Sequence, residues 1–440
     1  MSKENFKPGE FFIPIIFKDI NREEFILDAV KSGIVGFMIN RNSYQYTKIL
    51  QKAKEFNPKI CIIQVEDVNQ ALYQIGLESR NRNIDKPIIA VTGSVGKTTL
   101  CSLIANVLKT QIKVLHDFKN QNNNTRWHVS QMLLYFENYD MAVIELGISS
   151  RGVMSQLSKL VKPSIAVINQ IGTAHLSNLK NRETILEEKL HITDNIKDKK
   201  ILFINTDNQY LQNVGESKLF KVQTYSSKQG YDIKQMDGTL HFKTKIYGKE
   251  TEFNINLYGK HHISNIVLAI KIGEIYNISY NNIVKAINEF QPVDGRLKVL
   301  KNNKTKITVI DDAYSCSSIE AVKLGLETAN TMQSQRKIAV LGRMEALGDK
   351  AEIMHKKLGR FFKQLNFDYL YTTGGYKKSL SNGAKEALNE EKIKKFKTTQ
   401  KLISSLDENI KNGDLIYIKG ANTQCFDRIV KYLKEKYELE

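Results

Sequence analysis

The sequence predicts an α/β protein of three domains, and three features of the chain support this. Its 440 residues, 41% of them hydrophobic, are too many for one ordinary core. Short apolar strands alternate with helical segments over most of the chain, which is typical of a mainly parallel, doubly wound sheet. Residues 217–257 differ, because their alternating polar and apolar side chains indicate antiparallel strands.

Three domains are predicted from these patterns. A small N-terminal α/β domain covers residues 1–86, and Pro87 favours an extended hinge because it restricts Lys86. A central domain covers residues 87–294, and a Rossmann-like α/β domain covers residues 295–440, where the alternation returns after Pro292. The strands predicted in these two domains are Ile88–Thr92, Met141–Leu146, Ser164–Asn169, Lys200–Asn205, Ile307–Asp311, Lys337–Leu341, Tyr369–Thr372 and Leu415–Ile418.

The composition narrows the class of partner. A formal net charge of +18 is compatible with nucleic acid, a membrane surface or an acidic small molecule. The basic residues are spread along the chain without aromatic-interleaved blocks, so we expect a nucleotide or phosphorylated substrate and no nucleic acid. No CxxC pair signals zinc or a disulfide framework. The N-terminus lacks the apolar core of a signal peptide, and no apolar run reaches about 20 residues. We therefore expect a cytoplasmic protein without stable membrane insertion.

A phosphate-binding loop is predicted at Val91–Leu100, which reads VTGSVGKTTL. Its glycines allow backbone N–H groups to close on phosphate, and the following helix start adds positive potential. Lys97 would neutralise the β- and γ-phosphates of ATP, and the Thr98 hydroxyl would bind Mg²⁺. The predicted phosphate-binding residues are Gly93, Ser94, Val95, Gly96, Lys97, Thr98 and Thr99.

Further segments occur in a fixed order along the chain. They are Pro8–Phe12, Asn120–Asn123, Ala142–Gly147 (AVIELG), Asn169–His175 (NQIGTAH), Gly259–Asn265 (GKHHISN), Asp294–Arg296, Asp311–Tyr314, Gly342–Gly348 followed by His355, and Lys419-Gly420. Together with the short phosphate loop they resemble the Mur ligase family, and within it the MurF subfamily. Each segment is short, and their joint order makes the resemblance specific.

The resemblance implies an ATP-dependent ligase that joins a carboxylate to an amine through an acyl phosphate, releasing ADP and phosphate. It implies Mg²⁺ held by Thr98, Glu145 and His175. Lys189 corresponds to a lysine that the family often carries modified by CO₂, which would make it a further metal ligand. Asn265 would contact adenine and Asp312 the ribose, while Arg296 would reach the γ-phosphate when the domains close. The expected catalytic residues are thus Lys97, Lys189 and Arg296, in a monomer.

The substrates implied are UDP-MurNAc-tripeptide, bound through the N-terminal domain, and D-Ala-D-Ala, in peptidoglycan precursor synthesis for the cell wall. Several substrate-side segments differ from the subfamily, among them Asn124–His128 (NTRWH), Tyr314–Ser318 (YSCSS) and Gly342–Met344 (GRM). Two alternatives therefore stay open: a paralogue that joins another anionic acid to another amino acid or dipeptide, and a non-catalytic, nucleotide-gated partner protein. Arginines at 126, 151 and 343 favour a phosphate-bearing acid, because arginine binds such groups bidentately.

Overall fold

The computed structural model describes residues 6–17, 20–116, 125–218, 220–236 and 239–440. The chain divides into two compact units, one from residues 1–86 with 124–139 and one from residues 87–123 with 140–440. Within the described residues, no helix is both long and apolar enough to span a membrane.

The N-terminal unit is a small α/β unit. Its parallel sheet has the order Phe11–Phe12, Gly36–Asn40, Cys61–Val65, beside a short antiparallel pair of Ile16–Phe17 and Ile20–Asn21. Its helices are Ile26–Lys31, Tyr46–Phe56, Val68–Arg82 and Arg126–Leu133. In Tyr46–Phe56 the buried side chains Ile49 and Ala53 are four residues apart, so one face of the helix packs on the core.

The second unit begins with a parallel sheet that contains the phosphate loop. Its strands lie in the order Lys221–Tyr225, Ile201–Asn205, Ile165–Ile168, Ile88–Thr92, Met141–Glu145, Val114–Leu115. Ile88–Thr92 is buried along its whole length between two neighbours, which explains its uninterrupted apolar sequence. The helices of this part are Lys97–Leu108, Val153–Val161, Leu176–Leu179, Arg182–Leu190, His262–Ile275 and Tyr280–Asn288.

The prediction that residues 217–257 are antiparallel is only partly right. Tyr231–Met236, Thr239–Ile246 and Lys249–Ile255 do form an antiparallel sheet. Lys221–Tyr225, by contrast, pairs in parallel with Ile201–Asn205 at the edge of the main sheet. An edge strand has more exposed side chains than a central one, so its polar sequence resembled that of a one-sided antiparallel strand.

A further sheet of the same unit contains the C-terminal strands. Its order is Lys298–Lys301, Thr308–Asp312, Asp414–Lys419, Arg336–Leu341, Tyr369–Thr372, Ile393–Lys395, parallel except for the first pair. Its helices are Ile319–Asn330, Ala351–Phe361, Lys377–Ala384, Thr399–Asn409 and Asp427–Lys436. The strands predicted here are confirmed to within a residue at each end. Polar residues end several strands of both large sheets, where α/β proteins bind ligands.

Candidate active site

The phosphate loop has a backbone that favours glycine at two points. Gly93 and Gly96 have φ values of +152° and +78°. A Cβ on Gly96 would lie 2.7 Å from the Asn169 amide nitrogen. The same amide donates a hydrogen bond of 3.1 Å to the Val95 carbonyl, which ties the phosphate loop to the neighbouring segment at Asn169. The helix Lys97–Leu108 follows at once, and its first N–H groups lack intrahelical partners, as phosphate binding requires.

Lys97, Thr98 and Glu145 form a compact polar cluster. The Lys97 ammonium donates to the Gly93 carbonyl at 3.0 Å and lies 3.7 Å from Glu145 Oε1. The Thr98 hydroxyl donates to Glu145 Oε2 at 2.8 Å. Glu145 is buried as the last residue of its strand. A hydroxyl and a carboxylate at this distance are the kind of oxygen ligands that Mg²⁺ prefers.

His175 lies on the wall of the same cavity in its uncharged form. Its backbone is left-handed, with φ at +65°, immediately before the short helix Leu176–Leu179. Burial lowers the pKa of His175 to about 4, and the nearby Lys189 and Lys97 lower this pKa as well. A neutral imidazole keeps a free electron pair on one nitrogen and can therefore act as a metal ligand.

Lys189 is a buried lysine beside the end of the strand that leads into the phosphate loop. Its Nζ donates to the Thr92 hydroxyl at 3.2 Å. Burial lowers the pKa of the Lys189 amine well below its ordinary value, and Lys97 lowers it too, although Glu145 and Glu188 oppose the shift. Glu188 accepts hydrogen bonds of 2.9 Å from the backbone of Gly152 and of Met154, which fixes the helix that carries Lys189.

The C-terminal sheet supplies the opposite side of the cavity. Arg296 Nη2 lies 3.5 Å from the Thr98 hydroxyl, and its guanidinium lies 4.3 Å from the ring centre of Tyr314. Asp312 accepts hydrogen bonds from Lys419 Nζ at 2.8 Å and from Tyr417 at 3.0 Å. Two halves of the chain that are far apart in sequence thus meet around one space.

The structure brings most of the predicted residues together. The cavity wall includes Ser94, Val95, Gly96, Lys97, Thr98, Thr99, Glu145, His175, Asn265, Arg296 and Asp312. Gly93 and Lys189 are not part of this wall, but each contacts the loop or the strand before it: the Gly93 carbonyl accepts from Lys97, and Lys189 donates to Thr92. The segment Asn120–Asn123 lies outside the described residues.

Glu320 was not predicted, although it connects the two halves beside the site. It accepts hydrogen bonds from the Thr173 hydroxyl at 2.7 Å and from Arg182 Nη2 at 2.7 Å. Burial raises the pKa of Glu320, but these hydrogen bonds outweigh burial and leave it below its ordinary value. No local pattern marks Glu320, because it lies in an ordinary helix and its partners are more than 130 residues away.

Fold and site together define a P-loop nucleotide-binding enzyme whose cavity is completed by a second α/β sheet. Residues 91–273 match the Mur ligase middle domain, and residues 295–422 match the Mur ligase, glutamate ligase domain. The chain therefore belongs to the Mur ligase family, and as such it is an ATP-dependent peptide ligase.

Relatives and solved structures agree with this membership. The UDP-N-acetylmuramoyl-tripeptide–D-alanyl-D-alanine ligase of Bacillus subtilis (strain 168) is 29% identical, over 97% of this chain and 90% of that protein. The enzyme of the same name from Rickettsia prowazekii is 26% identical, over 98% and 94%. A crystal structure of MurF from Acinetobacter baumannii shares the fold with a TM-score of 0.81, at 21% identity and 98% and 92% coverage. MurF of Thermotoga maritima in complex with ADP gives a TM-score of 0.78 at 22% identity, with 99% and 96% coverage.

Proposed function

We propose that this enzyme uses ATP to join the carboxylate of UDP-MurNAc-tripeptide to the amine of D-Ala-D-Ala in peptidoglycan precursor synthesis. The observation that carries the proposal is that the two halves of the chain line one cavity, where Arg296 Nη2 of the C-terminal half lies 3.5 Å from the Thr98 hydroxyl of the phosphate loop. Two relatives named for this reaction, matched over nearly the whole chain, support the choice of substrates.

The cavity residues suit transfer through an acyl phosphate. Lys97 and Arg296 offset the negative charge that otherwise keeps ATP and a carboxylate apart. A carboxylate oxygen attacks the γ-phosphorus, the bond to the β,γ-bridging oxygen breaks, and ADP leaves. The amine nitrogen then attacks the acyl carbon and loses a proton, and the C–O bond breaks to release phosphate and leave the amide.

The residues present fit a magnesium site. Thr98, Glu145 and His175 line one wall of the cavity and present a hydroxyl, a carboxylate and a neutral imidazole. We assign these three side chains to Mg²⁺, which when bound would screen the phosphate charges and orient the γ-phosphate for in-line transfer.

The environment of Lys189 fits modification by CO₂. Burial lowers the pKa of the Lys189 amine and so favours its unprotonated form, whose nitrogen can add to the carbon of CO₂ and lose a proton. The product would be an anion, which suits a site near a divalent cation, whereas an ammonium group would repel the metal. We therefore assign Lys189 as a carbamate-bearing residue that supports the metal.

The remaining assignments concern the nucleoside part of ATP and the three predicted domains. Asn265 and Asp312 line the cavity and are assigned to the adenine and the ribose of ATP. Residues 1–86 are assigned to the UDP-linked acid, 87–294 to ATP and 295–440 to closing the site. We assign the enzyme to the cytoplasm and expect it to be a monomer.

A screen for ADP release with pairs of acids and amines tests the function. We expect rapid release with UDP-MurNAc-tripeptide plus D-Ala-D-Ala, little with either alone, and about 10²- to 10³-fold slower release with Lys97→Ala. Faster turnover of a different acid and amine would favour the paralogue. Absence of ADP release with every pair, despite ATP binding, would favour the non-catalytic partner protein.

A further inference from the structure

The carboxylate of Glu320 accepts hydrogen bonds from two separate segments of the central half. Its Oε2 accepts from the Thr173 N–H at 3.0 Å and from the Thr173 hydroxyl at 2.7 Å, while its Oε1 accepts from Arg182 Nη2 at 2.7 Å. Thr173 is buried, whereas the side chains of Arg182 and Glu320 are 36% and 31% exposed. An ion pair so exposed adds little to stability, so these contacts act mainly by placing the segments that they join.

The first of these segments is the loop before His175. Glu320 fixes both the backbone and the side chain of Thr173, two residues before that histidine. A Cβ on Gly172 would lie 3.0 Å from Glu320 Oε2, so the lack of a side chain at Gly172 lets the carboxylate approach. The Gly172 N–H itself donates to the Ser94 hydroxyl of the phosphate loop at 2.9 Å. The loop that leads to His175 is therefore held between the phosphate loop and Glu320.

The second segment is the helix Arg182–Leu190, which carries Lys189 in its last turn. Arg182 is the first residue of this helix, so its ion pair with Glu320 fixes where the helix begins. His175 precedes the helix on the same stretch of chain. One carboxylate from the C-terminal half thus holds this stretch at two points, one before His175 and one before Lys189.

An ordinary role in its own helix does not account for these contacts. Glu320 lies in the first turn of the helix Ile319–Asn330, where a carboxylate interacts favourably with the helix dipole. That interaction needs no partner outside the helix, and Ser318 already caps the helix start. If the dipole were the whole role of Glu320, substitutions of Thr173 would not reproduce its effects.

We propose that Glu320 is a positioning residue, which sets where His175 and Lys189 stand relative to the phosphate loop. This inference rests on the proposed function, because it takes His175 as a ligand of Mg²⁺. The contacts of Glu320 form only where the C-terminal half packs on the phosphate-loop sheet. The packing that brings Arg296 within 3.5 Å of Thr98 therefore also holds the metal-binding histidine in place.

Hydrogen exchange in the ligand-free protein tests the positioning without any metal. The Thr173 N–H is bonded to Glu320, so in Glu320→Ala we expect exchange over residues 171–176 to be about tenfold faster than in the wild type. Glu320→Gln keeps an oxygen that can accept from Thr173, and its exchange there should stay within about threefold of the wild type. Both variants lose the ion pair with Arg182, so exchange over residues 183–187 should be faster in both. Glu327→Ala, at an exposed position of the same helix, is the matched control and should exchange as the wild type.

Binding of Mn²⁺ tests the consequence for the metal. Electron paramagnetic resonance measures the Mn²⁺ Kd of protein loaded with a non-hydrolysable ATP analogue. We expect Glu320→Ala to raise this Kd about tenfold, because contacts that hold a metal ligand in place contribute about that much to affinity. Glu320→Gln should restore most of the affinity, while the urea midpoint and the Kd of inorganic tripolyphosphate without metal should not change.

A double variant separates positioning through Thr173 from a helix effect. Thr173→Val should reproduce part of the loss of Mn²⁺ affinity, and adding it to Glu320→Ala should cause no further loss, because both changes remove one contact. If Glu320→Ala does not fold, as judged by circular dichroism, Thr173→Val takes its place in each comparison.

Two results would overturn the inference. One is exchange over residues 171–176 in Glu320→Ala equal to that of the wild type. The other is an unchanged Mn²⁺ Kd in that variant. Equal weakening of tripolyphosphate and Mn²⁺ would make Glu320 a general support of the fold and overturn the inference as well, and unchanged exchange over residues 183–187 would overturn its part on Lys189. If the wild type itself binds no Mn²⁺ beside the nucleotide, the proposed metal site and function fail too, whereas the first two results leave them intact.

Discussion

The Thr98 hydroxyl donates a hydrogen bond of 2.8 Å to the Glu145 carboxylate, joining the phosphate loop to the end of the adjacent strand. Both side chains are buried, and Lys97 lies 3.7 Å from the same carboxylate. A divalent cation entering here would meet two oxygen ligands that are already held together. Preorganisation of this kind is what makes a metal site selective and sensitive to single substitutions.

We predict that Glu145→Ala raises the Mg²⁺ concentration needed for half-maximal ADP release by about 10- to 100-fold, because it removes a carboxylate ligand. The measurement is a Mg²⁺ titration at saturating ATP. Glu252→Ala, on an exposed strand position, is the matched control and should leave the titration curve unchanged. An unshifted curve for Glu145→Ala would show that this carboxylate does not bind the metal.

The ammonium group of Lys97 should contribute mainly to the transition state. We predict that Lys97→Ala lowers the rate of ADP release by about 10²- to 10³-fold, since it removes a preorganised donor from the developing phosphate charge. The urea midpoint should change little. Lys159→Ala, an exposed lysine in the helix Val153–Val161, serves as the control. Near-normal turnover in a folded Lys97→Ala variant would contradict the proposed ligase site.

Lys189 gives a test that does not depend on the substrates. If the Lys189 amine carries CO₂, protein equilibrated with ¹³C-labelled bicarbonate should show one carbamate carbon signal that Lys189→Ala lacks and Lys159→Ala retains. Activity lost by removing CO₂ should return on adding bicarbonate, and short carboxylic acids should partly restore Lys189→Ala. A labelled signal of the same intensity in Lys189→Ala would show that the carbamate is not on Lys189.

The sequence was sufficient to predict that Thr98 and Glu145 lie close together. Thr98 was predicted from the phosphate-loop sequence and Glu145 from its place at the end of an apolar strand, and the structure places both on the wall of one cavity. Lys221–Tyr225 was misjudged because edge position, which decides exposure, depends on strand order. Glu320 could not be predicted, since its partners Thr173 and Arg182 meet it only in the folded chain.

Buried histidines should make the protein sensitive to acid. Burial lowers the pKa of His262 to about 4 from an ordinary 6.5. Between these values the unfolded chain binds more protons than the folded one, so the free energy of unfolding falls as pH drops from 6.5 to 4.

We predict that between pH 7 and pH 5 His262→Phe loses about 2 kcal/mol less of this free energy than the wild type, because Phe cannot be protonated. Urea unfolding at pH 7, 6 and 5 provides the measurement, with His241→Phe as the control. Parallel pH profiles for His262→Phe and the wild type would mean that the imidazole is hydrated or charged in the folded state.

Among the three arginines considered for an anionic substrate, Arg343 has the strongest structural case. Arg151 is exposed, 3.5 Å from Glu187, and Arg126 lies over Trp127 at 4.3 Å. Arg343 also has a carboxylate neighbour, Glu345 at 3.7 Å, but it borders a hollow, and Gln424 fixes its backbone through hydrogen bonds of 2.7 and 3.0 Å. The same loop contacts the segment that follows His175, since the Ser177 N–H donates to the Ala346 carbonyl at 3.1 Å.

We therefore predict that Arg343→Ala weakens binding of UDP-MurNAc-tripeptide to the ATP-loaded protein by about tenfold, because a charge-assisted contact to an anionic group is lost. Titrations with the complete precursor, with the precursor lacking its nucleotide, and with an uncharged peptide, each at low and moderate salt, provide the measurement. Added salt should weaken binding of the precursor strongly in the wild type and less in Arg343→Ala, since salt screens the attraction between charged groups. Arg360→Ala, half-exposed and paired with Glu386, is the matched control. Binding of the uncharged peptide as tight as that of the precursor, independent of salt, would show that Arg343 does not select an anionic acid.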